Sequence, residues 1–293
     1  MILITGSTGF VGRNIVKRAR EKGLKLKCLV RSPERARSVL GDNIEFAQGD
    51  VLNSNSLDKA MEGVEAIIHL VGIIVETKGA SFESVHYHGS VNVVEAAKKA
   101  GVRRYLHMSA LGTRADAKSR YHKTKWQAEE HVRNSGLDWT IFRPSVIFGS
   151  EDEFINMFIR MIKLSPIIPI IGKGKGKIQP VWVMDVAECF LKALEKNDTI
   201  KKVFELGGYD KLNVEELMDL ILKIKEKIRI KIHLPLPLMK FNAAVIETLF
   251  ANPPLTSDQL IMLEEENTCD VSIIKNVFEI KPKRVEDYLK EFM

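Results

Sequence analysis

The first sixteen residues constrain this chain more than any other stretch. Ile2, Leu3 and Ile4 form a short, wholly apolar run, followed by Thr5-Gly6-Ser7-Thr8-Gly9-Phe10-Val11-Gly12. A run of that kind suits a strand buried on both faces of a parallel sheet. Val11, Ile15, Val16 and Ala19 then recur at helical spacing. Between strand and helix, Gly6 permits a tight turn, Gly9 lets a diphosphate approach the backbone, and Gly12 lets the helix pack closely on the sheet. The free N–H groups and positive dipole end of that helix face the phosphates. Three glycines alone are a weak signal, and a glycine-rich turn without a ligand is the competing reading; the strand before and the helix after give the spacing its weight.

The rest of the chain agrees with one large core, or a nucleotide domain with a smaller lobe, in 293 residues. Cys28, Cys189 and Cys269 are widely spaced in apolar surroundings, which reads as reduced packing residues and not a disulfide frame or metal site. A net charge of +6 comes from lysines scattered along helix faces and loops, so a solvated surface is favoured over nucleic-acid binding. No apolar run reaches the ~20 residues that span a bilayer. A strand starting at Ile2 leaves no room for a signal or transit peptide in this sequence. The expected location is cytoplasmic, with a peripheral membrane position left open.

Strands are expected at 24–30, 44–47, 66–70, 104–108 and 139–142, with helices at 56–61, 84–100 and 119–135 between them. Six strands alternating with helices give an α/β fold with a doubly wound parallel sheet. Beyond Gly149 the rhythm changes: an apolar helix at 154–164, a proline-rich turn at 165–169, and the tract Gly172-Lys-Gly-Lys-Gly-Lys177. A helix at 181–195 and a strand at 203–206 return to the sheet. Residues 1–150, with 178–207, therefore form the dinucleotide domain. Residues 151–177 and 208–293 form a smaller C-terminal α/β lobe over the sheet's carboxyl edge. The segment Leu234–Phe250 is strongly apolar and reads as core of that lobe, or, if exposed, as a contact surface.

Cofactor choice turns on the residue at the tip of the second strand. An NAD-specific site places a carboxylate there for the ribose 2′-OH. Here Arg31 stands in that position, with Arg35 and Arg37 behind it and Arg13 in the first helix. Charge-assisted bonds from an arginine to a 2′-phosphate contribute ~1.5–3 kcal/mol each. NADP(H) is therefore expected to be preferred, with NAD(H) still open. Asp50 is placed to accept the adenine amino group and Val51 to pack on the ring, while Leu70, Val71 and Gly72 lie against the ribose. Tyr121 and Lys125 share one helix face, so the ammonium can tune the phenol toward general acid/base work. His86 and His88 diverge on their helix, and no histidine has metal-ligand spacing with another ligand. His69 and His107 read as satisfied core groups, Asp185 as a helix cap, and the lysines of 172–177 as an anion site or a solvated turn.

These motifs in this order (T-G-x-x-G-x-x-G, Gly49-Asp50-Val51, Val71-Gly72, Tyr121-x-x-x-Lys125, Arg143-Pro144-Ser145) resemble the extended short-chain dehydrogenase/reductase superfamily. Tyr121-His-Lys-Thr-Lys-Trp-Gln-Ala-Glu-Glu130, Leu137–Gly149 and Pro253-Pro-Leu-Thr-x-x-Gln-Leu260 are similar to an atypical subgroup. It includes the nucleotide-binding accessory subunit of respiratory complex I. The resemblance implies Tyr121, Lys125 and Ser109 as catalytic residues. It implies a dinucleotide held by Gly6, Ser7, Thr8, Gly9, Phe10, Val11, Gly12, Arg13, Arg31, Asp50, Val51, Leu70, Val71, Gly72, Met108, Ser109, Lys125 and Pro144. It further implies oxidoreductase or epimerase-like chemistry on a small or nucleotide-linked substrate. The alternative is a non-catalytic nucleotide-binding protein with an assembly or redox-sensing duty, touching a protein partner or membrane edge through the C-terminal lobe. Catalytic relatives carry a second hydroxyl directly after the Ser109 position; here Ala110 stands there, and Ser109 or Thr113 would have to substitute.

Overall fold

The chain begins β1 (Ile2–Thr5), α1 (Phe10–Glu21), β2 (Leu26–Val30), α2 (Pro33–Leu40), β3 (Glu45–Gln48), α3 (Leu57–Ala60), β4 (Ala66–His69), α4 (Gly89–Lys99), β5 (Arg104–Met108), α5 (Arg120–Arg133) and β6 (Asp138–Pro144). It continues β7 (Ile147–Phe148), α6 (Phe154–Leu164), β8 (Ile167–Ile171), β9 (Lys177–Ile178), β10 (Val181–Trp182), α7 (Val183–Glu195) and β11 (Lys202–Leu206). The last elements are β12 (Leu212–Asn213), α8 (Val214–Ile224), β13 (Ile230–Leu234), α9 (Leu236–Leu249), α10 (Ser257–Glu264), α11 (Ser272–Asn276) and α12 (Val285–Phe292). This computed structural model describes residues 1–172, 174–250, 253 and 255–292. Two units result, Met1–Arg143 with Val183–Glu205, and Pro144–Trp182 with Leu206–Met293. The first unit is a few residues shorter at each internal boundary than the range read from the sequence, and the second correspondingly longer.

In the first unit the strands lie in the order β11-β6-β5-β4-β1-β2-β3. β1 to β6 are mutually parallel where they pair. β2 and β4 are buried along their whole length, which is why their sequences are continuous apolar runs with few breaks. α1 packs against α7, and α4 against α5. Leu3, Ile67, Tyr105 and Ile141 from the strands meet Val93, Val94, Ala97 and Val132 of α4 and α5 in one apolar cluster. Burying each large aliphatic there contributes about 1.5–3 kcal/mol. Thr5 lies opposite Leu29 and His69, and His69 opposite His107, so the carboxyl ends of these strands share one edge. The chain changes direction across the sheet between β1 and β4. Such a switch point leaves a crevice outside the strand ends.

The second unit has its own core. Phe148, Ile155, Phe158 and Ile162 pack with Ile168, Ile170, Leu217, Ile221 and Leu289. The proline-rich turn expected at 165–169 is instead strand β8, paired in parallel with β13 from Ile167↔Ile230 to Ile171↔Leu234. Proline is tolerated at position 169 because this sheet has two strands, so both are edges. Val181 and Trp182, expected as the start of a helix, pair with β7, and α7 begins at Val183. The helix expected over 84–100 is divided as well: Glu83–His88 form a π-helical turn before α4.

Candidate dinucleotide site and its buried lysine

The loop between β1 and α1 is closed by its glycines. Gly6 has φ +73°, the left-handed region that suits glycine. A Cβ on Gly12 would stand 2.2 Å from the Gly6 carbonyl oxygen, so α1 can approach the loop only without a side chain there. A Cβ on Gly6 would meet the Leu70 and Val71 backbone at 3.2 Å, which places the end of β4 directly against the loop. α1 starts at Gly9 with no side-chain cap and no acid in its first turn. That leaves the N–H groups and positive dipole end of α1 to an anion, with Thr8 and Gly9 exposed beside them. Ser7 and Val11, assigned to the dinucleotide by the sequence, turn inward: Ser7 is fully buried and Val11 belongs to the core. Phe10 and Arg13 are partly buried in the first turn of α1.

Arg31 is exposed at the carboxyl end of β2, directly before Ser32, which caps α2 by accepting from the Arg35 N–H. Arg37 is engaged elsewhere, its guanidinium 5.8 Å from the Phe46 ring centre. Asp50 folds back to accept from the Leu52 N–H at 2.9 Å, and Ser56 bonds the Asp50 backbone. Val51 corrects the sequence reading. Its side chain is buried in the core under α4, against Gly89, where it cannot pack on a ligand's ring.

At the ends of β4 and β5 the structure gathers a polar cluster. Lys125 is almost completely buried, and its ammonium donates to the Met108 carbonyl at 3.1 Å. A Cβ on Gly72 would lie 3.0 Å from that ammonium. Burial pulls the amine from its usual 10.5 down to about 8, with Glu129 partly opposing the shift. Tyr121 stands edge-on to His86 and Phe82 at centroid distances of 5.1 and 5.8 Å. Its phenol differs from the sequence reading. Burial pushes it up to about 12.

His86, weighed from the sequence only as a metal ligand, has a different place in this cluster. Its Nδ1 lies 2.9 Å from Thr124 Oγ1, and its Nε2 lies 3.1 Å from the Ile73 nitrogen. Burial drives the ring down to about 2, so it is neutral. Nε2 lies 3.0 Å from the Ile73 carbonyl oxygen as well, so both ring nitrogens are engaged, one by the Ile73 backbone and one by Thr124. The Thr124 hydroxyl also lies 3.0 Å from the Arg120 and Tyr121 carbonyl oxygens. His86 thereby ties the loop after β4 to α5. The only sequence signal for it was a histidine ahead of Gly89-Ser90 at the start of a helix; π-helical turns often mark such sites.

Ser109 is buried at the end of β5, its N–H donating to the Phe142 carbonyl at 2.7 Å. Its hydroxyl lies 3.3 Å from that of Thr113, which is also buried. A second hydroxyl therefore stands beside Ser109 although Ala110 lacks one. His69 is satisfied by Thr5 and Ser90, as a core histidine should be. His107 is not: neither ring nitrogen has a hydrogen-bond partner among the described residues, and burial holds it neutral, well below the usual range. Pro144 ends β6 and opens the second unit. Asp185 is buried in the first turn of α7. In the glycine–lysine tract, Gly172 and Gly174 hold positive φ and Gly176 packs on the Leu263 carbonyl; Lys173 lies outside the described residues, as does Pro254 of the later motif.

Comparison with known proteins agrees with this geometry. The NAD(P)H-binding family model matches residues 6–156, and the RmlD substrate binding domain model matches residues 113–241. The mitochondrial NADH dehydrogenase (ubiquinone) 1 alpha subcomplex subunit 9 of Arabidopsis thaliana is 30% identical over 99% of this chain and 76% of its own length. The photosystem II assembly factor Ycf39 of Guillardia theta is 26% identical over 99% of this chain and 93% of its own. Among solved structures, an NADPH-dependent quinone oxidoreductase of Escherichia coli complexed with NADPH has a TM-score of 0.79 at 19% identity, covering 99% of both chains.

Proposed function

This chain belongs to the NAD(P)-binding, atypical extended short-chain dehydrogenase/reductase family, and from that premise we propose that it binds NADP(H) in preference to NAD(H) and serves as an oxidoreductase or epimerase-like enzyme. The dinucleotide fits the residues present. The Gly6–Gly12 loop has the space and the uncapped helix end for a diphosphate, and Arg31 meets the adenosine end without a competing carboxylate at the strand tip. The observation that carries the reading is Lys125. Among the described residues its one hydrogen bond goes to the Met108 carbonyl, yet the ammonium is buried beside Gly72. A ribose diol is the kind of neutral, oxygen-rich partner that would complete it.

When bound, a nicotinamide dinucleotide supplies hydride transfer. The chain's own part is to place groups around the reacting carbon. Ser109 and Thr113 offer hydroxyls to polarise a substrate oxygen, Tyr121 carries the proton, and Lys125 orients the ribose. A second reading is supported by a specific observation, the Tyr121 phenol held at about 12 by burial. A tyrosine that reluctant to ionise suits a dinucleotide-binding assembly or sensing protein, and two of the relatives above are named as an NADH dehydrogenase subunit and a photosystem II assembly factor.

Fluorescence titration tests the ligand preference. NADPH is expected to bind at least about tenfold tighter than NADH, and Arg31→Ala to narrow that gap. Equal or reversed affinities in the unaltered protein overturn the NADP assignment.

A further inference from the structure

Within the first unit, the segment between β4 and the π-helical turn is tied to α5 at two points. Near its start, the Ile73 backbone meets the His86 ring, which reaches Thr124 of α5. Farther on, Glu76 makes the second tie. Its carboxylate accepts two bonds from the Arg120 guanidinium, at 2.7 and 3.2 Å, and a third from the Phe82 N–H at 2.8 Å. Arg120 directly precedes Tyr121, and the buried Phe82 ring lies edge-on to Tyr121 while stacking on His86. One carboxylate therefore joins the helix that carries Tyr121 to the ring packed beside it. Between the ties, Thr77 and Ala80 exchange backbone bonds at 2.9 and 3.1 Å, so the tip of the segment closes on itself. The ties differ in exposure. His86 is 1% exposed, whereas the Arg120 side chain is 64% and the Glu76 side chain 28% exposed. Water and salt reach the second tie and not the first.

We propose that Glu76 is a positioning residue for Tyr121: its ion pair with Arg120 latches the strap of residues 73–82 against α5, and release of that pair lets Phe82 move off Tyr121 and admits a substrate to the phenol. The proposal rests on the reading of Tyr121 as proton carrier. Two features make the pair a latch and not a permanent brace. An ion pair open to solvent contributes little to stability and is screened by salt, so it parts far more easily than the packed core beneath it. A brace serving the core would also bring apolar side chains inward, yet Ile74, inside the strap, is 59% exposed. The strap starts next to Gly72, where an added Cβ would lie 3.0 Å from the Lys125 ammonium, so its movement takes place at the edge of the reacting groups.

Amide hydrogen exchange and tyrosine acetylation of the full chain, both without substrate, test it. Glu76→Gln keeps an oxygen for the Phe82 N–H and removes the charge that Arg120 holds. It should speed exchange of the Ile73 and Phe82 N–H groups together by about three- to fivefold. Acetylation of Tyr121 by N-acetylimidazole, read by mass spectrometry, should rise in the same proportion. Raising sodium chloride from about 0.05 to about 1 M should act likewise on the unaltered chain and add nothing in the variant. Arg120→Gln should match Glu76→Gln, and the double variant should go no further than either. Exchange within β4 and β5 and the thermal midpoint should stay nearly unchanged, which a general loosening of the fold would not allow. Faster exchange at Phe82 alone, with Ile73 and Tyr121 unmoved, makes Glu76 a helix cap and overturns the proposal. Unchanged exchange in both single variants overturns it as well. A strap that opens as expected, combined with undiminished turnover in Tyr121→Phe, upholds the latch and removes only the acid/base reading of Tyr121.

Discussion

Replacing Lys125 with methionine should make the protein more stable and less able to hold its dinucleotide. The ammonium is all but excluded from water, and burial lowers it from 10.5 to about 8. That depression corresponds to about 3 kcal/mol of penalty on the charged form at neutral pH. Methionine fills a similar length without a charge to desolvate, but it leaves the Met108 carbonyl without its donor, which costs about 1–3 kcal/mol. The net gain at pH 7 is then about 1 kcal/mol. The pH dependence is more telling. Between pH 8 and 10.5 the folded chain binds fewer protons at Lys125 than the unfolded chain does, so wild-type stability rises with pH through that window. The variant has no such group. Its advantage at pH 7 should therefore reverse by pH 10.5, a change of about 3 kcal/mol between the two proteins. Urea denaturation of both at pH 7 and pH 10 measures this, with the other lysines cancelling in the difference. NADPH affinity, titrated in parallel, should fall at least about tenfold. A stability difference that does not move with pH refutes the buried-ammonium account; unchanged NADPH affinity refutes its link to the ligand.

Gly12→Ala places a methyl group 2.2 Å from the Gly6 carbonyl and should cost about 2–4 kcal/mol in denaturant melts, whereas Gly9→Ala, with its nearest atom at 3.3 Å, should cost far less and mainly weaken NADPH binding. Equal losses of stability at the two positions contradict the loop geometry. Tyr121→Phe should leave the melting midpoint nearly unchanged and abolish any NADPH oxidation detected in a substrate screen; undiminished turnover removes the phenol from the mechanism.

How much of this was legible beforehand differs from element to element. The β1–loop–α1 unit could be read because each glycine has a distinct steric job and the flanking apolar runs have distinct periods. β5 and α6 matched their expected bounds, and Ser119 caps α5 as a side-chain acceptor. β8 was hidden because Pro166 and Pro169 read as a turn; only its partner β13, some sixty residues away, makes it a strand. The inward turn of Val51 was hidden for a related reason, since Gly89, which receives it, is remote in sequence. For α9 the pattern showed that the segment is apolar but could not show that Leu238, Phe241, Val245 and Leu249 lie exposed among the described residues. The His86 contacts depend on a π-helical turn, and no residue pattern distinguishes that turn from the α-helix it continues into.

The buried lysine also explains the structure around α5. Tyr121, Lys125 and Glu129 stand at i, i+4 and i+8, so the helix presents polar groups along the stripe where a core helix would present leucines. Glu129 is fully buried, and two arginines neutralise it: Arg133 at 2.7 Å, and Arg143 through a pair of bonds at 2.9 and 2.7 Å. Both guanidiniums stack on the Trp126 ring, at 4.8 and 5.8 Å, which limits their freedom. A buried ion cluster of this kind is weak evidence for stability, because desolvation cancels much of its attraction. Its geometric consequence is stronger. Arg143 belongs to β6 and Glu129 to α5, so the bidentate pair fixes the helix along the strand next to the one that ends at Met108. Lys125, one turn earlier, is then held against the Met108 carbonyl despite the cost of burying it, and Tyr121 one turn before that is held against His86. A fold selected for stability alone would have placed apolar side chains along this stripe; three ionisable groups there are consistent with the ligand role proposed for Lys125.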